Sequence, residues 1–237
     1  MLIKTLFDKE TLDGKLKAGW GLSFLVDNRF LFDTGEKGEW LMENIKDLKV
    51  NIADIEAIII SHDHWDHWGG LWDMLERRNG IKVYICPCFG DGFKKKVREF
   101  KAELIEEKDF LEIFKDIYIT GQADGAFDGS YIAEHALVIR TENGLSVITG
   151  CAHPGIVKML DMVTRKFPDE KIYAVMGGFH LADEDEQTIG NIVETLKKMG
   201  VKKVYPTHCS GKNAVKIFEE AYGKDFGKII VGQELEV

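Results

Sequence analysis

The amino-acid sequence predicts an α/β fold with two sheets whose outer faces are covered by helices. Short apolar runs of strand length alternate with amphipathic segments of helix length along most of the chain. Turn-forming pairs such as Asn79-Gly80 and Asn143-Gly144 separate several of these segments. The length of 237 residues and a hydrophobic content of 45% are sufficient to bury a sizeable core.

No internal repeat, low-complexity tract or Pro/Gly-rich linker marks a domain boundary in the sequence. We therefore expect a single domain over residues 1–237, with two intimate halves as the alternative.

The first third of the chain is predicted to contain four strands and two helices. Asn79-Gly80 ends the second helix, because glycine readily adopts the left-handed conformation found just beyond helix ends. The predicted strands are 2–7, 21–26, 29–32 and 57–60, and the predicted helices are 39–48 and 66–78.

The rest of the chain continues the alternation. Asn143-Gly144 predicts a hairpin turn between two strands in the middle of the sequence. The predicted strands are 82–86, 117–120, 136–141, 145–148, 172–176, 203–206 and a closing strand near 228–231. The predicted helices are 154–166, 184–199 and 212–222.

The segment from His62 to His67 places three imidazoles and two carboxylates in six residues, directly after a buried strand. In an extended chain residues i and i+2 point to the same side, so His62 and His64 can bind one metal ion. The chain then enters a helix at Asp66-His67, which presents a second pair of ligands. The spacing predicts two adjacent metal ions.

Further metal-binding side chains follow predicted strands within a few residues. These are Cys151, His153, His180 and His208, whereas His135 starts a strand. In α/β sheets the carboxyl ends of the strands form the edge at which ligands bind. We therefore expect these side chains to contribute to one polar site.

The His-x-His-x-Asp-His pattern at 62–67 resembles the signature of the metallo-β-lactamase superfamily, and Phe-Leu-Phe-Asp-Thr-Gly at 30–35 resembles its early strand. Segments 149–155, 177–181 and 208–211 resemble a small group within that superfamily. Some archaeal members of this group are named synthases of a dihydropterin-ribofuranosylaminobenzene phosphate, and others are called only metal-dependent hydrolases. The resemblance covers most of the chain and implies the four-layer αβ/βα sandwich.

The resemblance also implies a set of ligands for two divalent metal ions. The first ion would be held by His62, His64 and His153, and the second by Asp66, His67 and His208. Imidazole-rich ligation favours zinc, with iron, manganese and nickel as alternatives.

The sequence departs from the family pattern at Gly150-Cys151, where most members have Gly-Asp with the aspartate bridging the two metals. A thiolate can bind zinc or iron, so Cys151 is either a ligand or a small buried residue. The family's earlier histidine position falls near Glu134 and His135, which we expect to be cross-strand surface residues. His153 would then take over the missing role.

Several other side chains are predicted to act near the metal ligands, and for some of them the sequence leaves more than one role open. His180 is expected to bind substrate or act as a general acid, with metal ligation or packing as alternatives. Asp33 and Asp63 are expected to support a metal-bound imidazole from outside the ligand set. The spacing of Trp65 with Trp68 and Trp72 favours core packing, although Trp65 could also wall the pocket.

Composition excludes several classes of function. A net charge of −9 and a pI near 5.3 disfavour nucleic acid as a partner. No signal peptide and no apolar stretch of membrane-spanning length are apparent, and four cysteines are too few for a disulfide framework. We expect a cytoplasmic protein with reduced thiols and a small-molecule substrate; oligomeric state is left open.

The expected function is that of a metal-dependent hydrolase in which a metal-activated hydroxide attacks a small-molecule ester. The resemblance favours a phosphoester. Asp66 would orient the nucleophile, and His180 would donate a proton to the leaving group. The alternatives are a pterin-diphosphate-dependent synthase and a non-catalytic protein that holds metal and binds a ligand.

Overall fold

The computed structural model describes residues 1–12 and 14–237, and the chain divides into two compact units. Unit 1 comprises residues 1–108 and 230–236, and unit 2 comprises residues 109–229 with Val237. The expectation of a single domain over residues 1–237 stays a prediction.

Fifteen strands lie in the described residues. They are β1 (Leu2–Phe7), β2 (Ser23–Val26), β3 (Phe30–Phe32), β4 (Ala57–Ile59), β5 (Lys82–Ile85), β6 (Glu103–Glu106), β7 (Leu111–Phe114), β8 (Ile117–Ile119), β9 (Ala123–Phe127), β10 (Ser130–Glu134), β11 (Leu137–Thr141), β12 (Gly144–Thr149), β13 (Ile172–Gly178), β14 (Lys203–Thr207) and β15 (Glu234–Glu236).

Seven α-helices accompany these strands in the same part of the chain. They are α1 (Gly38–Asp47), α2 (Trp65–Trp68), α3 (Leu71–Arg77), α4 (Asp91–Glu99), α5 (Ile156–Lys166), α6 (Glu186–Lys198) and α7 (Lys212–Tyr222). In residues 1–12 and 14–237, no helix is both long and apolar enough to cross a lipid bilayer.

Unit 1 is built on a seven-stranded sheet with the order β15-β1-β2-β3-β4-β5-β6. Strands β3 to β6 run parallel to one another, whereas β2 pairs antiparallel with both β1 and β3. Every residue of β2, β3 and β4 is buried, which is why these short strands are apolar at every position except Ser23 rather than alternating. The carboxyl ends of β3 and β4 therefore lie side by side.

Unit 2 contains a six-stranded sheet with the order β14-β13-β12-β11-β8-β7 and a separate two-stranded ribbon of β9 and β10. Strands β12, β13 and β14 are parallel to one another, with α5 and α6 as the connections between them. The apolar faces of α5, α6 and α7 are buried in one core with the sheet, through residues such as Leu160, Ile189 and Phe218. This arrangement brings the carboxyl ends of three neighbouring strands to one edge.

Most predicted elements are confirmed within one to three residues at each end, including the hairpin of β11 and β12. The predicted helix at 66–78 is instead two helices, because Gly69 and Gly70 pack closely against the backbone of Glu36 and Thr34. The predicted closing strand at 228–231 is wrong: Val231 makes only an isolated bridge with Thr11, and the last strand is β15.

Several elements were not predicted at all, chiefly α4, β6, β7 and the ribbon of β9 and β10. Helix α4 has a single buried residue, Val97, so its sequence carries little apolar periodicity. In the ribbon, β9 is mostly exposed and only the last three residues of β10 are buried, so its sequence shows no apolar alternation either.

A pair of glycine substitutions tests the close packing of β12 against β13. Gly177 has a φ of 116°, and a Cβ there would overlap the carbonyl oxygen of Thr149. Gly177→Ala should therefore lower the free energy of unfolding by more than about 1 kcal/mol.

Gly190 in α6 is the matched control, since a Cβ there meets nothing within 4 Å. Gly190→Ala should raise the free energy of unfolding by about 0.5–1 kcal/mol through the higher helix propensity of alanine. Urea unfolding followed by circular dichroism measures both values, and equal effects of the two substitutions would contradict the packing described here.

Candidate metal centre

The four predicted ligands of unit 1 gather just beyond the carboxyl end of β4. His62 and His67 have no exposed surface, and Asp66 is 5% exposed. His62 Nε2 lies 3.1 Å from His64 Nδ1, and His67 Nε2 lies 3.5 Å from Asp66 Oδ2. Two nitrogens bound to one tetrahedral zinc ion are about 3.3 Å apart, so the imidazoles of His62 and His64 are spaced as ligands of a single cation would be.

Asp33 holds this cluster in place from the neighbouring strand end. Its Oδ2 accepts a hydrogen bond from His67 Nδ1 at 2.7 Å and another from Ser61 Oγ at 2.7 Å. Its Oδ1 accepts the backbone N–H of Ser61 at 2.7 Å. The predicted contact between Asp33 and an imidazole is therefore present.

The serine relays the same carboxylate to a second ring. The hydroxyl of Ser61 donates its one hydrogen bond to Asp33, so its oxygen accepts a hydrogen bond from His62 Nδ1 at 2.9 Å. Protonation at Nδ1 leaves the lone pair of His62 and of His67 on Nε2, the atom that can bind a metal. Sequence reasoning missed Ser61, although its position directly before His62 was the available signal.

Asp63 was expected to support a metal-bound imidazole, but its carboxylate contacts other groups. Its carboxylate accepts hydrogen bonds from the indole N–H of Trp68 at 3.1 Å and from the backbone N–H of Gly90 at 3.1 Å. Trp68 in turn packs with Trp72 and Phe93. Trp65 is 54% exposed, so the prediction of core packing is wrong for this residue.

The predicted site residues of unit 2 follow three parallel strands. Cys151 and His153 come after β12, His180 after β13 and His208 after β14. Because these strands are adjacent, their ends bring the side chains together: one ligand atom each from Cys151, His153 and His180 lie within 4.8 Å of one another. The rings of His153 and His180 have centroids 4.4 Å apart.

A buried carboxylate fixes the loop that carries Cys151 and His153. Glu134 Oε1 accepts the backbone N–H groups of Gly150, Cys151 and Ala152 at 2.9–3.0 Å, and Oε2 accepts that of His153 at 3.0 Å. Glu134 has no exposed surface, and neither has His135. Both were expected to be surface residues, and the structure corrects this: the end of β10 is buried, and the loop N–H groups need an acceptor there.

Four non-glycine residues at these strand ends adopt left-handed backbone conformations. Asp33, Ala152, His180 and His208 have φ values of 56°, 58°, 52° and 51°. Each such residue costs on the order of 1–2 kcal/mol. Such strain persists where the surrounding structure determines it. Here it occurs at three residues with polar side chains, Asp33, His180 and His208, and at Ala152 in the loop that carries Cys151 and His153.

Cys209 is a polar neighbour that the sequence analysis did not assign. It is 7% exposed, and its Sγ lies 3.5 Å from the carbonyl oxygen of Cys151. Burial raises the pKa of the Cys209 thiol. Hydrogen bonds with Cys151 and His180 and the nearby His208 together lower it by a larger amount, so the pKa is well below its usual value. The same hydrogen bond raises the pKa of His180 against the effect of burial.

The ribbon of β9 and β10 places an aromatic ring on the histidines of unit 2. Phe127 is 40% exposed, and its ring centroid lies 5.2 Å from that of His153 and 5.7 Å from that of His180. Gly125 lets β9 approach closely, since a Cβ there would overlap the backbone of His153. The ribbon therefore forms an apolar wall beside these two imidazoles.

Both clusters fit divalent metal ions by their donor chemistry. Unit 1 offers a carboxylate and three imidazoles, two of which have their Nε2 lone pairs set by Asp33 and Ser61. Unit 2 offers imidazoles and thiols, of which Cys151 and His153 lie on the loop that Glu134 holds. Imidazole, carboxylate and thiolate are the groups that bind zinc in proteins. The assignment of individual ligands stays a prediction.

Replacing Glu134 tests the anchoring of the loop at 150–153. Glu134→Gln removes the charge and puts an amide N–H against backbone N–H donors, so at least one buried donor loses its acceptor. The free energy of unfolding should fall by at least about 2 kcal/mol. Glu142→Gln, at an exposed turn in the same unit, is the control and should have no measurable effect; equal stabilities of the two variants would contradict the anchoring role.

Asp33 and Asp63 form a matched pair for testing support of the imidazoles. Asp33→Asn weakens the hold on His67 and should reduce zinc affinity by about 10–100-fold. Asp63→Asn changes a carboxylate that contacts Trp68 and Gly90, so its zinc affinity should stay near that of the unaltered protein. Competition with a chromophoric zinc chelator measures both affinities, and equal losses would argue against a specific role for Asp33.

Comparisons with known proteins agree with the residues described above. The metallo-beta-lactamase superfamily matches residues 21–208. A Methanocaldococcus jannaschii protein named 7,8-dihydropterin-6-methyl-4-(beta-D-ribofuranosyl)-aminobenzene-5'-phosphate synthase is 30% identical over 259 residues, covering 90% of this chain and 88% of that protein.

Solved structures give the same result for the fold. The crystal structure of Tm1679, a metal-dependent hydrolase of the beta-lactamase superfamily, is 29% identical with a TM-score of 0.85, and the match covers 100% of this chain and 99% of that one. Zinc-bound PqqB from Methylobacterium extorquens has a TM-score of 0.66 at 12% identity over 100% of both chains, a likeness of fold alone. The predicted α/β class and metallo-β-lactamase fold are thus confirmed. The chain belongs to the metallo-β-lactamase superfamily.

Proposed function

We propose that the protein is a metal-dependent hydrolase that cleaves a phosphoester of a small molecule. The observation that carries the proposal is the cluster of His62, His64, Asp66 and His67, all buried except the partly buried His64. Asp33 orients the ring of His67 directly and that of His62 through Ser61, which leaves the Nε2 lone pairs of these two rings available to a metal. Buried imidazoles with this second layer of hydrogen bonds are typical of metal sites. The 29% identity to a metal-dependent hydrolase supports the same activity.

The proposed ligands are those of the family pattern. His62, His64 and His153 would hold one ion, and Asp66, His67 and His208 a second, with Cys151 as a further ligand. Zinc is the proposed metal because imidazole and thiolate both suit it. When bound, such ions supply a Lewis acid and a hydroxide that is available near neutral pH.

Two side chains are assigned to the reaction itself. Asp66 would accept a hydrogen bond from the attacking nucleophile and orient it, since its carboxylate lies beside His67 in the first turn of α2. His180 would donate a proton to the leaving oxygen, because it is only partly buried and its ring lies beside that of Phe127. Phe127 would shield the reacting bond from bulk water.

The proposed substrate is a small phosphorylated molecule. A net charge of −9 argues against nucleic acid as the substrate. The preference for phosphate over a carboxylic ester rests on analogy with the named relative, whose product carries a phosphate. A cytoplasmic location is part of the proposal, since all four cysteines are present as thiols.

The test is a substrate panel on zinc-loaded protein, using phosphomonoesters, phosphodiesters and thioesters with good and poor leaving groups. Phosphoester hydrolysis should require the metal and should disappear, together with bound metal, in His64→Ala. His180→Gln should slow esters with poor leaving groups by about 10²–10⁴-fold while leaving nitrophenyl esters nearly unaffected, because only the former need a proton donor.

The control is Asp47→Asn, at an exposed position near the end of α1, which should behave as the unaltered protein. Turnover that survives in His64→Ala would refute the metal-dependent mechanism. Bound zinc with no hydrolysis of any ester would favour a non-catalytic protein that holds metal and ligand.

A synthase is the second candidate, and the 30% identity to a named synthase over 90% of this chain favours it. In that case the metals would stabilise a departing diphosphate instead of activating water. Incubation with a dihydropterin diphosphate and a ribofuranosylaminobenzene phosphate separates the two candidates. A condensed product with release of diphosphate supports the synthase, whereas release of orthophosphate or diphosphate without condensation supports the hydrolase.

A further inference from the structure

We propose that Cys209 is a metal ligand, and that its thiolate joins the thiolate of Cys151 and the imidazole of His208 on one zinc ion, the ion that the proposed function assigns to His208. The inference rests on the metal binding of the proposed function but not on hydrolysis. It adds a second sulfur to the ligand set and places a ligand where the family pattern has none.

The three donor atoms are already close to the geometry of a zinc site. Cys151 Sγ, a ring nitrogen of His208 and Cys209 Sγ all lie within 4.8 Å of one another, and the three residues are 4%, 1% and 7% exposed. Two thiolates on a tetrahedral zinc ion are about 3.8 Å apart. Small side-chain rotations are therefore enough to close the three donors around one ion.

The sheet provides space for two sulfur atoms side by side. Cys151 follows β12 and Cys209 follows β14, so the end of β13 lies between them. The residue of β13 at that point is Gly178, where a Cβ would come within 2.6 Å of Cys209 Sγ and 3.1 Å of Cys151 Cα. A side chain at position 178 would displace the Cys209 thiol, so the glycine keeps both cysteines in the cluster.

Hydrogen bonds hold the backbone on both sides of this cluster. Ser210 Oγ donates to the carbonyl of Thr207 at 2.7 Å and accepts the N–H of Phe179 at 3.0 Å, which fixes the turn carrying His208 and Cys209. Glu134 fixes Cys151 through its backbone N–H at 3.0 Å. Metal sites require ligands held in this way, because ordering them on binding would reduce affinity.

The surroundings of Cys209 differ from those of an ordinary buried cysteine, which packs as a small apolar side chain. Its thiol contacts the Cys151 carbonyl, the Cys151 thiol and the imidazole of His180. Cys86 is also buried, and its Sγ lies 3.9 Å from the carbonyl oxygen of Ser61. Two thiolates and an imidazole favour zinc over manganese and magnesium, which prefer oxygen ligands.

Cobalt substitution tests the inference directly. Cobalt(II) bound to thiolate shows a sulfur-to-metal charge-transfer band in the near ultraviolet, which imidazole and carboxylate ligands do not produce. Full-length protein loaded with cobalt should show this band, and Cys209→Ser and Cys151→Ser should each reduce it to about half, since each removes one of two thiolates. The double variant should show no band.

Cys86→Ser and Cys88→Ser are the matched controls, one buried and one exposed, and both should keep the full band. Circular dichroism establishes that each variant is folded. X-ray absorption on the unaltered zinc protein needs no variant and should show two sulfur neighbours per chain at about 2.3 Å.

The outcomes separate this inference from the proposed function. A band that Cys151→Ser abolishes and Cys209→Ser leaves intact would overturn the role of Cys209, as would cobalt bound without any band or a Cys151–Cys209 disulfide in protein purified under reducing conditions. Phosphoesterase activity could persist in each of these cases. A two-thiolate band in a protein without hydrolytic activity supports the inference and counts against the proposed hydrolase.

Discussion

Buried backbone N–H groups must find hydrogen-bond acceptors, and the candidate ligands of this protein depend on how two carboxylates meet that requirement. Glu134 accepts hydrogen bonds from four backbone N–H groups of the loop at 150–153, and Asp33 accepts hydrogen bonds from the N–H of Ser61 and from His67 Nδ1. Each carboxylate therefore does two things at once: it satisfies an irregular turn at a strand end and it sets the orientation of side chains that can bind a metal.

This arrangement has an energetic cost that the surrounding structure sustains. Left-handed φ values at Asp33, Ala152, His180 and His208, together with buried imidazoles and thiols, each reduce the stability of the fold. The compensation comes from regular packing beneath the strand ends, such as the fully buried β2, β3 and β4 and the helices packed on the second sheet. Binding of a metal to these ligands would raise the free energy of unfolding again, because it satisfies buried polar groups.

Much of the fold could be predicted from apolar periodicity. The elements that were not predicted have too few regularly spaced buried residues to produce such a pattern in the sequence. Helix α4 buries only Val97, and in the ribbon β9 is mostly exposed while only the last three residues of β10 are buried. The ribbon nevertheless carries two residues that matter for the candidate site, Phe127 beside the histidines and Glu134 beneath them. The sequence did not reveal the contribution of Glu134, because a glutamate at the end of a short strand is usually a surface residue.

The sequence by itself determined the donor types and their local spacing: the cluster at 62–67, the strand-end positions of Cys151, His153, His180 and His208, and the superfamily to which the chain belongs. Only the tertiary structure decided what surrounds them. Asp33 accepts a hydrogen bond from His67, Asp63 accepts one from Trp68, and Glu134 accepts those of the loop that carries Cys151. Cys209 lies beside Cys151 and His180. Strand order brings together residues far apart in the sequence, and local periodicity carries no information about which strand ends are neighbours.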